Sequence, residues 1–452
     1  MMTWLLLGFA WGAELQLDDV LTALDARLPA WAEGQAAVDG ARAKALSASG
    51  AFDPKAFAKA SQYVDPKVPR RLTDAGVDAL TPLGLSVGAG HRSGVGDFPS
   101  YDGRYTSDQG EIYGEAALPL LDGLLWSEER VARELAQLAA EGKEEDFRAK
   151  QVALARKATE TYWKWVAAGA ALEVERQQLE LAEQRAAMLT RQVDEGGRPL
   201  LDALDNERAL FERREAWIGA RQKLDVAAVE LSLFWRDADG APQQPTADQL
   251  PSTWPELAGD HPPDEDLRRA ASRPDVAAGE VVVDAAEQAL RGARNTLLPE
   301  LTVSGELARD VGLAQTEAIA TVTVSSPLWL RKERGAAAAA SADLRQAEEA
   351  LRGLRDQARA DVLAAHAVRD TARERLAATR AAAERASEVV ELERRRFELG
   401  GGDLFQLLLR ESNLAKSRKA VVDAELDLRI AEAAVVAAAG SLPPSLGGPP
   451  SP

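Results

Sequence analysis

Cysteine is absent from all 452 residues, and histidine and methionine are scarce at three each. The first absence excludes disulfides, thiolate metal sites, cysteine nucleophiles and a lipid carried on an N-terminal Cys. The histidines, His91, His261 and His366, are scattered without any ligand spacing, so no metal and no other cofactor is expected. Positive charge is in deficit as well: 54 Lys and Arg stand against 72 Asp and Glu, a formal charge of -18. Such a chain offers no basic face to a nucleic acid, and none is expected as a partner. Long apolar runs are missing too, since no segment after the N-terminus approaches the ~20 residues that a membrane-crossing helix needs. If the chain enters a bilayer, it does so as strands. Neither a nucleophile–base pair nor a phosphate-binding loop appears, so the chain reads as a protein that is not an enzyme.

What is abundant is alanine together with charged residues, a composition that favours long helices. The N-terminus, "MMTWLLLGFAWGAELQL", puts a short apolar run before Gly8-Phe9-Ala10, with Ala13 as a second small position. That pattern suits a secretory signal over residues 1–13; a buried helical turn is the alternative. Beyond it the chain repeats itself. Residues 28 to 46 overlie the segment from Arg273 without gaps, pairing Pro29 with Pro274, Gly34 with Gly279 and Asp39 with Asp284. Later, "GGRPLLDALDNERAL" answers "GGGDLFQLLLRESNL", pairing Leu200 with Leu404, Leu204 with Leu408, Glu207 with Glu411 and Leu210 with Leu414. Two copies of one unit, residues 14–235 and 267–440, are therefore expected, joined by a proline-rich connector at 236–266 and followed by a disordered Pro/Gly/Ser tail at 441–452.

Each unit reads as a medium helix, a strand pair, a very long helix, a glycine break and a return helix. The long helices are expected at about 124–194 and 330–399, each on the order of 100 Å at 1.5 Å per residue. Heptad-spaced leucines such as Leu344 and Leu351, or Leu392 and Leu399, suggest coiled-coil partners along them. The return helices fall at about 198–235 and 403–439. The "TYWKW" cluster at 161–165 suits packing between helices better than a ligand cage. Strands are expected at about 54–63, 111–119, 299–308 and 317–327, with alternation over lengths that fit a bilayer crossing of about ten residues. Short soluble hairpins give the same pattern. The strand-like "LGLSVGAGH" at 83–91 reads as part of an enlarged outer loop or hairpin. Four principal strands cannot close a barrel, and an open edge in lipid is costly. Three chains would supply twelve.

In the order and repetition of these parts the chain resembles the TolC-like outer-membrane efflux proteins, from Leu15 to Ala439. That resemblance implies a mainly α protein with a small β part: a homotrimer whose duplicated helical hairpins build an α-barrel below a shared twelve-stranded transmembrane β-barrel. It also implies an outer-membrane location with a large periplasmic part, contact with outer-membrane lipid, and a passive duct for efflux or type I secretion. The partners it implies are a periplasmic adaptor and an inner-membrane transporter, docking at the helical-hairpin tips Gly196, Gly197, Gly400 and Gly401. By the same resemblance, Asp202 and Asp205, at i and i+3 on one helix face, line an acidic periplasmic gate, with Arg198 tying it shut. Acids in a first helical turn also simply complement the helix dipole. The second break departs from the pattern, with Gln406 at the position of the first acid and Asp403 displaced towards the glycines. A soluble coiled-coil scaffold without channel activity is the competing reading; it leaves the paired strands without a purpose.

Overall fold

The computed structural model describes residues 14–64, 70–96, 100–101, 104–124, 126–197, 199–254, 262–443 and 446. The signal-like stretch at 1–13, Arg198, His261 and most of the C-terminal tail lie outside the described residues.

The chain opens with α1 (Leu17–Arg27) and α2 (Pro29–Ser49) and continues into strands β1 (Lys55–Tyr63), β2 (Arg70–Leu80), β3 (Ser86–Gly96), β4 (Ser100–Tyr101), β5 (Arg104–Tyr105) and β6 (Glu111–Pro119). The first long helix, α3 (Glu128–Asp194), is followed by α4 (Leu200–Ser232). After the connector come α5 (Pro263–Ala270), α6 (Pro274–Asn295), β7 (Glu300–Asp310), β8 (Thr316–Ser325), the second long helix α7 (Arg331–Glu398) and α8 (Leu404–Ala438). At 67 and 68 residues, α3 and α7 each run about 100 Å. Neither they nor any other described helix is apolar enough to cross a membrane.

Two expectations need correction. Each medium helix is in fact two, broken just before Pro29 and Pro274, the pair of prolines that the repeat aligns. Proline lacks the N–H that a continuous helix would use, but it suits the first position of a new one. The second correction concerns the strands. The main sheet holds six, in the order β1-β2-β3-β6-β7-β8, not four. The additional pair, β2 and β3, lies between β1 and β6, and all neighbours are antiparallel. Glycines at positions 88, 90, 94 and 96 dilute the alternation of β3, which is why the sequence reads there as part of an enlarged outer loop or hairpin rather than as a principal strand.

The chain divides into two compact units. One, residues 36–146 and 275–354, contains the sheet. Its two faces differ in character, although Phe57 and Ile319 fall on the polar one and His91 and Arg309 on the other. Lys59, Asp74, Arg92, Glu111 and Asp310 form one cross-strand row, and the neighbouring row on the opposite face is Ala58, Ala75, His91, Ile112 and Arg309. The polar face is the enclosed one, where Arg92, Glu111, Tyr113 and Asp310 are buried. The opposite face exposes Val77, Val87, Ile112, Leu307, Val322 and Val324 to the surroundings.

The other unit, residues 1–35, 147–274 and 355–452, holds the main helical core. Val20, Leu21 and Leu24 of α1 pack on Ala158, Tyr162, Trp165 and Val166 of α3 and on Leu224, Ala228 and Leu231 of α4. Tyr162, Trp163 and Trp165 of the "TYWKW" cluster are thus core, while Lys164 is exposed. Tyr162 Oη donates to Leu15 O at 2.9 Å, Trp163 stacks on Trp254 with centroids 5.8 Å apart, and the guanidinium of Arg429 lies 4.8 Å from the Trp163 ring centre. Burial pushes the Tyr162 phenol well above its ordinary range. Leu442 and Leu446 pack against the same core.

Candidate functional site

The glycine breaks are built alike. At the first, Gly196 takes φ +73; its N–H donates to Val193 O at 3.0 Å, and Gly197 N donates to Gln192 O at 2.8 Å. At the second, Gly400 takes φ +78, with Gly400 N to Phe397 O and Gly401 N to Arg396 O both at 3.1 Å. These are paired Schellman caps, which satisfy the last carbonyls of a long helix and turn the chain out of it. Only glycine enters that left-handed conformation without strain. Gly402 is required for a different reason, since a Cβ there would sit 2.7 Å from the Phe397 backbone.

The restarts differ. Asp403 is the N-cap of α8, its Oδ1 accepting from Phe405 N at 3.1 Å. That places Asp403 as a cap and leaves Gln406 exposed on the first turn. The N-cap of α4 is Pro199, whose side chain offers no cap. Asp202 is half-buried in the first turn of α4 and Asp205 is exposed one turn on. Among the sequence-derived candidates, then, Asp202 and Asp205 share one face directly beyond a tip, Arg198 falls outside the described residues, and Gln406 with Asp403 supplies only one carboxylate, committed to capping.

The second tip is anchored to the first hairpin by Leu189 of α3, which packs with Phe397, Leu404 and Leu407. Above this cluster, Arg185 of α3 forms a buried ion pair with Glu411 of α8, and Arg394 approaches the same carboxylate at 3.8 Å. The basic run at 393–397 is therefore tied down in part: Arg394 faces Glu411 and Arg396 Nε donates to Gly401 O at 3.2 Å.

A second set of interacting side chains escaped the sequence reading. On the enclosed face of the sheet, Arg92 Nε donates to Glu111 at 2.5 Å, its outer nitrogens bond Glu306, and its guanidinium lies 4.5 Å from the centre of the Tyr113 ring. Tyr113 Oη donates to Asp74 at 3.1 Å. Only strand register brings these residues together, and the sequence places β2 and β3 in an outer loop or hairpin rather than among the principal strands. Among the described residues no cluster of His, Asp and Glu is arranged to hold a metal ion.

A sheet that is apolar on its open face and charged on its enclosed one, in a chain with two glycine-capped hairpins of this length, defines a membrane-duct protein. The chain belongs to the outer membrane efflux protein family, whose model matches residues 83–235 and 268–441. Its location is the outer membrane. No curated protein matches it in sequence. Solved structures share the fold. VceC of Vibrio cholerae superposes with TM-score 0.70 at 16% identity, covering 94% of this chain and 96% of that one. The open-state MtrE outer membrane channel of Neisseria gonorrhoeae gives 0.68 at 16%, covering 95% and 90%. A membrane protein from Pseudomonas aeruginosa gives 0.70 at 20%, covering 96% and 92%.

Proposed function

We propose that three copies of this chain form the passive outer-membrane exit duct of a tripartite efflux or type I secretion system. Outer-membrane lipid surrounds the apolar face of the sheet, and the helical hairpins reach into the periplasm. The tips at Gly196, Gly197, Gly400 and Gly401 meet a periplasmic adaptor, which recruits an inner-membrane transporter. The observation that carries this reading is the pairing of an amphipathic sheet, exposed on its apolar side, with two helices of about 100 Å that end in identical caps. A soluble scaffold has no use for an exposed apolar sheet face.

In this duct Asp202 and Asp205 are the gate acids. A three-fold axis gathers both from every copy at the narrow end, where crowded carboxylates favour cations over anions. With its acid engaged as a cap, the second tip contributes no matching ring. The test is single-channel recording of the full-length protein in planar bilayers. Wild type should conduct, prefer cations and be blocked by multivalent cations; Asp202→Ala with Asp205→Ala should lose most of that preference and block. Unaltered selectivity in the double variant would remove these residues from the gate, and absence of any conductance would remove the duct.

A further inference from the structure

We propose that the shared barrel has eighteen strands, closed by a seam in which β8 of one copy pairs with β1 of the next. The inference rests on the trimeric duct above and concerns how its membrane part is built. In the six-stranded sheet the two strands with an open edge are β1 and β8. They are 9 and 10 residues long and exposed along almost their whole length. In lipid, each unpaired edge would leave a row of N–H and C=O groups unsatisfied, at several kcal/mol apiece. A second copy is the occupant that supplies the complementary edge.

Polarity permits the seam. All neighbours are antiparallel and the strand count is even, so β1 and β8 run in opposite directions and their junction continues the antiparallel pattern. The faces match as well. Cross-strand register places Ala56, Ala58 and Ala60 of β1 on the same apolar face as Ala318, Ala320, Val322 and Val324 of β8. On the polar face β1 brings Lys55 and Lys59 while β8 brings Glu317, so the edges carry opposite charge.

The count follows from β2 and β3. A twelve-stranded barrel requires both to leave the sheet, yet they are paired to each other over 11 residues, to β1 over 9 and to β6 over 7. They also obey the same alternation, presenting Val77, Ala79, Val87 and Ala89 on the apolar face. Their connection on the helix side is short, closed by Thr81 N to Leu85 O at 2.8 Å, as bacterial barrels keep their periplasmic turns. Three six-stranded sheets give eighteen strands, within the size range that leaves an aqueous channel rather than a packed interior. The exit is thus wider than the one four strands per copy would build.

The natural absence of cysteine makes the seam directly testable. Ala58→Cys is combined in turn with Ala318→Cys, Ala320→Cys, Val322→Cys or Val324→Cys in the full chain, oxidised in the outer membrane and run on non-reducing gels. At one register the paired variant should give covalent dimers and trimers, while neither single variant does. The combination of Ala58→Cys with Ala116→Cys on β6 should give no intrachain link. Native mass measurement of the unmodified protein separates the two readings. A mass other than three chains overturns the trimeric duct and this closure with it. A trimer in which no β1–β8 pair links, or in which β1 links to β6, overturns the eighteen-stranded closure alone.

Discussion

Leu200 and Leu404 hold the same place in the two return helices, yet Leu200 is 63% exposed and Leu404 4%. The contrast continues through the tip-proximal halves. Phe211 is 57% exposed where its counterpart Ala415 is 3%, and Ile218 55% where Val422 is 8%. Further on it vanishes: Leu224 and Leu428, then Leu231 and Val435, are all buried. One duplicated helix buries apolar side chains within its own chain for its full length, and the other only in its second half, its one buried residue nearer the tip being the polar Asn206. The sequence pattern is shared, so the difference comes from position. Near the tip α8 lies against α3 through Leu189 and Arg185, whereas Leu204, Phe211 and Ile218 of α4 form a seven-residue-spaced stripe with no such cover. In the proposed trimer a neighbouring copy covers it.

The largest break of this comparison is at Glu411 and its counterpart Glu207. Glu411→Ala strands Arg185 as a buried cation and should cost about 3–5 kcal/mol of local stability. Glu207 is exposed, and Glu207→Ala should stay within about 0.5 kcal/mol. Amide hydrogen exchange along α8 and α4 reads both. Equal protection losses in the two variants would mean that the helices are not packed differently.

Next in size is the apolar pair. Leu404→Ala opens a cavity against Leu189 and Phe397 and should cost about 3 kcal/mol, visible as a lower thermal midpoint. Leu200→Ala removes no contact within the chain's core; its effect should appear instead as easier dissociation of the trimer in detergent. A midpoint lowered equally by both changes would contradict the asymmetry.

Smaller again is the restart. Asp403→Ala removes the N-cap of α8 and should cost about 1 kcal/mol, whereas α4 has no side-chain cap to lose. Pro199→Asp should accordingly stabilise the first tip by a similar amount. Protease nicking rates at the two tips would register both changes, and a Pro199→Asp protein nicked as fast as wild type would show that capping does not limit tip stability.

The two long helices and their glycine breaks were legible because alanine, leucine, arginine and glutamate favour helix, and a glycine pair at the end of such a run has one reading. Gly196 and Gly400 could be found from sequence alone. What could not be read was pairing. The glycines of β3 weakened its alternation, so the sheet was undercounted, and with it went the Arg92, Glu111, Tyr113 and Glu306 constellation, whose members lie as far apart as positions 92 and 306. The burial of Glu411 against the exposure of Glu207 was equally hidden, because aligned residues in a duplication share type and not neighbours.

The finest test of the comparison uses pH on the half of α8 where both return helices are buried. Glu432, four residues past Leu428, corresponds to Ala228 on α4; burial, opposed by the bond from Arg373 at 3.4 Å, holds its carboxyl above the ordinary 4.5. A carboxyl raised in the folded state adds stability that is complete below its unfolded value and is lost as pH rises through the folded one. Glu432→Gln lacks this dependence. Relative to wild type, the variant should therefore gain stability as pH moves from below 4.5 to neutrality, with the change confined to the window just above 4.5. Thermal midpoints of the two proteins at matched pH provide the measurement. A difference that is flat across the window, or that reverses so that wild type gains on the variant towards neutral pH, would show that the Arg373 bond outweighs burial at this position.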